Sequence, residues 1–203
     1  MNASVAPHDV RQHILDTAQV LIAGRGFTAV GLSEILKAAG VPKGSFYHYF
    51  DSKESFGEAL LQGYFSTYLA GLETMLTRSD QSAVERLMSY WTQWLETQAC
   101  CDPQGKCLAV KLAAEVSDLS EPMRNALEQG TNRIIARLAQ TLGEATAEGS
   151  LAPQPAPRDL ATTLYQLWLG ASLRAKITRD RAPLESALAA TRQLLGLSTQ
   201  RSA

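Results

Sequence analysis

The chain has 203 residues, 45% of them hydrophobic, and its 19 Lys and Arg against 20 Asp and Glu leave a net charge of −1. That length supports one or two domains with a proper core, and the even charge excludes a wholly basic nucleic-acid binder. No apolar run reaches the roughly eighteen residues of a membrane span, and no basic stretch followed by an apolar one opens the chain, so a cytoplasmic protein is expected.

Val10, Ile14, Ala18, Leu21 and Ile22 recur at helical spacing and predict a long amphipathic helix, which Gly24-Arg25-Gly26 ends. Phe27 is expected in the core of a three-helix domain. The next stretch, GLSEILKAAGVPKGSFYHYFDSK, predicts a helix over 32–39, a tight turn and a second helix over 43–49. Gly31 suits the N-cap, and Glu34 follows three residues later, where a capping carboxylate belongs. Gly40 stops the first helix in the left-handed conformation that glycine adopts cheaply, and Pro42 suits the first position of the next. This is a helix-turn-helix, and its second helix can enter a DNA major groove.

The second helix has a composition suited to DNA. Gly44 permits close approach to a phosphate backbone, and Lys43 and Ser45 stand in the first turn, where N–H groups and the helix dipole favour phosphate oxygens. Tyr47, His48 and Tyr49 add donors, Phe46 and Phe50 form the buried anchor, and Lys53 is placed to reach a neighbouring phosphate. Ser33, at the start of the first helix, joins the candidate DNA-binding set. Residues 1–56 hold five basic and five acidic side chains, so the positive field must be local to this helix and its flanks.

KGSFYHYF followed by DSKE, with GFTAVGLSEILKAAGV upstream, resembles the DNA-binding domain of the TetR family of repressors. The resemblance implies that Lys43, Gly44, Ser45, Tyr47, His48, Tyr49 and Lys53 contact double-stranded DNA, mostly its backbone. It also implies a palindromic operator, a DNA-binding domain over 1–53 and a regulatory and dimerisation domain over 54–203. Pro42 departs from the pattern, because many relatives place there a serine able to bond phosphate.

Downstream, helices are predicted over 53–77, 83–99, 105–116, 120–147, 158–177 and 183–195, with the loop GSLAPQPAPRD kept irregular by its three prolines. No alternating strand pattern appears, so the fold class is all-α. Leu164, Leu167, Trp168, Ala171 and Ala175, with Leu184, Ala187, Leu188 and Leu195, predict apolar faces on the last two helices. In TetR relatives two such helices from each subunit pack as a four-helix bundle, so a homodimer is expected.

A regulator of this plan needs an input. Cys100, Cys101 and Cys107 are all the cysteines, and their spacing does not suit zinc, so neither a metal nor a cofactor is expected. Cys107 is predicted in the first turn of the helix after Pro103, where the dipole, Lys106 and Lys111 favour a thiolate. CLAVKLAAEVSDLSEPMR and LYQLWLGASLRAKITR resemble members of the same family that answer reactive electrophiles and oxidants through cysteine, which implies Cys107 as the reactive position. Cys100 and Cys101 are read as bystanders. Lys176 interrupts an apolar helix and is placed to approach Cys107. Tyr68, Trp91, Trp94, Tyr165 and Trp168 offer an alternative input, a pocket for an apolar inducer. A thiol-dependent enzyme is the remaining alternative, but neither a phosphate loop nor a catalytic triad is present in the pattern.

Overall fold

The computed structural model describes residues 7–99, 107–153 and 156–197. Cys100, Cys101 and Lys106 lie outside the described residues. Among those residues are nine helices and no strand, the all-α class that the sequence predicts. They are α1 (Pro7–Arg25), α2 (Leu32–Ala39), α3 (Lys43–Tyr49), α4 (Lys53–Leu76), α5 (Ala83–Ala99), α6 (Leu108–Ser117), α7 (Glu121–Ala147), α8 (Pro157–Thr178) and α9 (Ala182–Leu194). No described helix is long and apolar enough to cross a membrane.

The chain forms two compact units, Met1–Thr67 with Asp102–Gly130, and Tyr68–Cys101 with Thr131–Ala203. The helix-turn-helix segment therefore shares a unit with α6 and the start of α7.

In the first unit, Ile14, Ala18 and Ile22 of α1, Ile35 of α2 and Phe46 of α3 are fully buried, as the 3.6-residue spacing requires. Phe46, Phe50 and Phe56 form a ring cluster with centroids 5.1 to 5.5 Å apart, which seats α3 against the start of α4. Leu108, Leu112 and Val116, four apart on α6, are buried in the same unit. Two glycines permit this packing. A Cβ at Gly57 would stand 2.7 Å from Met123 Sδ and 2.8 Å from Phe27 Cζ, and one at Gly130 would stand 2.3 Å from the Phe65 ring. The helix propensity lost at these positions, about 1 kcal/mol each, allows close helix contact in return.

The start of α4 is held by a reciprocal cap. Ser52 N–H donates to Ser55 Oγ and Ser55 N–H to Ser52 Oγ, both at 3.0 Å. At the turn between α2 and α3, Gly40 takes φ 65° and ψ 27°, the left-handed cap predicted for it. Pro42 is the N-cap of α3 and not its first helical residue. Glu34 does not reach back as a capping carboxylate; its oxygen pairs with the Arg25 guanidinium at the end of α1. Pro157 opens α8, so one of the three loop prolines begins a helix, at a position where no N–H is needed.

The second unit is built around α8 packed on α9, with α5 against α9. Leu164, Trp168, Ala175, Leu184, Ala187 and Leu195, expected on an outward apolar face, are instead core residues of the single chain. The apolar stripe left outside is Gly170, Leu173 and Ile177 on α8, with the two large side chains 53% and 64% exposed.

Candidate DNA interface and thiol site

The outer face of α3 carries Lys43, Gly44, Tyr47 and His48, all exposed, with Ser45 and Tyr49 half-buried beside them. Tyr47 is 55% exposed although aromatic, because Phe46 next to it takes the inward position. Ser33 is exposed in the first turn of α2. Lys53 has intramolecular partners: its Nζ donates to the carbonyls of Phe27 at 3.2 Å and Val30 at 3.1 Å and lies 4.9 Å from the centre of the Phe27 ring. It fastens the α1–α2 loop to α4. His13 Nε2 donates to the Ala39 carbonyl at 3.0 Å and ties α1 to the end of α2.

Cys107 is the N-cap of α6 and only 6% exposed. The helix therefore begins at Leu108 and not at the predicted 105, and the sulfur stands just before the first turn and not within it. The Tyr64 hydroxyl of α4 donates to its Sγ at 3.4 Å, and the Leu108 N–H donates to the Tyr64 oxygen at 3.3 Å. Burial pushes the thiol pKa above its ordinary value; the Tyr64 hydroxyl and the N–H groups of Val110 and Ala109 work against that rise without cancelling it. The expected lowering is thus corrected: loss of water around the sulfur outweighs the hydrogen bonds offered to it. Nor is Lys111 committed to the sulfur, since its Nζ donates to the Gly24 carbonyl at 3.0 Å.

Glu115 completes a stripe, Cys107–Lys111–Glu115, along α6 at four-residue spacing. Its Oε2 accepts the Phe27 N–H at 3.1 Å, and its Oε1 accepts the Thr28 N–H at 2.6 Å and the Thr28 hydroxyl. Burial raises the Glu115 carboxyl pKa, but the donors of Thr28 and Phe27, with the Lys111 charge, outweigh it and hold the group below the usual glutamate value. Gly26 precedes this contact at φ 97°, and a Cβ there would meet Glu115 Oε2 at 2.9 Å. Sequence reasoning missed Glu115 as a site residue, and it grouped Tyr64 with the pocket aromatics and not with the thiol. The i, i+4 repeat from Cys107 was the available signal for Glu115; nothing local marked Tyr64 as a partner of the sulfur.

In the second unit Trp91, Trp94, Tyr165 and Trp168 are buried together. Trp91 stacks on Trp168 at 5.1 Å and 14°, and Trp94 meets Tyr165 edge-on at 5.7 Å. Trp94 Nε1 donates to Ser172 Oγ and Trp168 Nε1 to Thr191 Oγ1, each at 2.9 Å. The half-buried Tyr68 shares a 2.9 Å hydrogen bond with the Tyr90 hydroxyl. Lys176 sits in the last turn of α8 and is exposed. No group of three or more His, Cys, Asp or Glu among the described residues could hold a metal ion.

An all-α chain with a helix-turn-helix of this geometry and a separate helical unit is built as a bacterial transcription regulator. The family model for bacterial regulatory proteins of the tetR family matches residues 14–60, and that for the tetracyclin repressor-like C-terminal domain matches 83–191. The chain belongs to the TetR family. It is 45% identical over 188 residues to the HTH-type transcriptional repressor NemR of Escherichia coli strain K12, covering 93% of this chain and 94% of that one. Likeness to the repressor DhaR of Mycobacterium sp. strain GP1 is 35% over 191 residues, 94% of each chain. The crystal structure of reduced E. coli NemR superposes with a TM-score of 0.86 at 44% identity, covering 97% of this chain and all of that one.

Proposed function

We propose that the protein is a cytoplasmic, homodimeric transcriptional repressor that leaves its palindromic operator when Cys107 is modified by an electrophile or oxidant, and that it controls detoxification genes. Lys43, Tyr47 and His48 form the exposed contact surface, with Ser33, Gly44, Ser45 and Tyr49 beside them and Lys53 at the edge. The exposed stripe of Leu173 and Ile177 supports a second copy of the chain as the partner, since such a stripe is otherwise an aggregation liability. The reading is carried by one observation above the rest: Cys107 occupies the N-cap position of α6, and α6 grips the α1–α2 loop of the DNA-binding helices through Glu115. A change at one end of a rigid helix is felt at the other. Burial of the thiol favours small, uncharged reagents, because a charged one would lose its hydration on entry.

Fluorescence anisotropy with DNA from upstream of its own gene tests this. Tight binding when reduced, weakened five- to 150-fold by N-ethylmaleimide, is the expected result for a coupling of about 1 to 3 kcal/mol. Binding that ignores the reagent would overturn the thiol input. In the same assay Lys176→Ala is expected to slow release, if the ammonium assists the modified sulfur; an unchanged response would remove Lys176 from the mechanism.

A second reading has its own observation. Trp91 Nε1 is buried with no hydrogen-bond partner among the described residues, and an apolar inducer bearing one acceptor would satisfy it. Release of DNA by such a ligand from Cys107→Ser protein would favour that input.

A further inference from the structure

We propose that Tyr64 sets the reactivity of Cys107, acting as a positioning residue whose hydroxyl holds the sulfur to the first turn of α6. The inference rests on the reading of Cys107 as the input. Two hydrogen bonds of the Tyr64 hydroxyl have opposite polarity: it donates to Sγ at 3.4 Å and accepts the Leu108 N–H at 3.3 Å. Accepting that N–H polarises the phenol and makes its O–H a better donor to a thiolate. The ring lies edge-on to Phe65, with centroids 5.2 Å apart. Lys111, the charged alternative on the same helix face, is bound to the Gly24 carbonyl. In a site nearly closed to water, a neutral donor fixed beside the sulfur is what supports the anion.

The same hydroxyl reports the reaction. The thiol first loses its proton to water. The thiolate electron pair then forms an S–C bond to an electron-poor alkene carbon, while the alkene π pair moves onto the adjoining carbonyl as an enolate, which solvent protonates. The product thioether accepts a hydrogen bond weakly and occupies space in a buried site. Tyr64 is displaced, and the Leu108 N–H loses its partner, which loosens the start of α6.

The test is the pH dependence of Cys107 alkylation by N-ethylmaleimide in the full chain. It is followed by mass spectrometry of the Cys107 peptide, in wild type and Tyr64→Phe, each with Cys100 and Cys101 replaced by serine. The substitution keeps the ring and removes the oxygen, and thermal unfolding checks that the variant is folded. The inflexion is expected to move to higher pH, with the rate at neutral pH falling about threefold to tenfold, given the strength of a hydrogen bond to an ion and the partial offset from a more basic thiolate. The plateau above the inflexion should be higher. A purely structural role would open the site and raise the rate at every pH without moving the inflexion. Coincident profiles, or a faster rate with the inflexion unmoved, overturn the inference and leave the thiol reading standing. No alkylation of Cys107 in either protein overturns both.

Discussion

Cys107→Ser is expected to bind operator within about threefold of reduced wild type and to show no release by N-ethylmaleimide, where wild type loses five- to 150-fold. The near-normal affinity follows from the position of the residue. Serine is a better N-cap than cysteine, and the Tyr64 hydroxyl can hydrogen-bond Oγ as it does Sγ, so α6 keeps its start. The lost response follows from chemistry, because the serine hydroxyl is not ionised near neutral pH and does not add to alkenes. Anisotropy titrations of both proteins, reduced and alkylated, measure it. Equal release of the two by the reagent would place the input at another residue.

Glu115→Ala is expected to destabilise the protein by about 1 to 2 kcal/mol, allowing for partial exposure of the carboxylate, and to lower the melting temperature by roughly 2 to 8 °C. The substitution removes an acceptor from two backbone N–H groups and one hydroxyl. These donors belong to the loop that leads into α2, so operator binding should weaken with stability, by about tenfold. Glu115→Gln keeps one accepting oxygen and should recover part of both losses. A pH dependence accompanies this. The Glu115 pKa is depressed in the folded protein, so its contribution is complete above the ordinary glutamate value and is lost as pH falls through the lower, folded value. The stability difference between wild type and Glu115→Gln should therefore shrink in acid. Thermal unfolding from neutral pH to below about pH 4 measures it, and a difference that grows in acid would contradict the assignment.

Local patterns in the chain determined the helices, the bounds of α2 and α3, and the outward face of the recognition helix. Each depends on neighbours within four residues, as when Gly40 stops a helix or Phe46 turns inward and leaves Tyr47 exposed. Family membership was also legible, since KGSFYHYF is a contiguous run. The thiol environment was not. A helix dipole and adjacent lysines argue for a depressed pKa, yet burial of Cys107 among residues distant in the chain reverses the sign. Tyr64 and Glu115 acquired their roles only in the fold, through partners 43 and 88 residues away. So did Lys53, which turns to two carbonyls of the α1–α2 loop, and the apolar positions of α8 and α9, which divide between core and surface according to which helix covers them. Hydrogen-bond partners and desolvation are set by the distance between atoms in space, and sequence spacing carries that distance only within a helix or a turn.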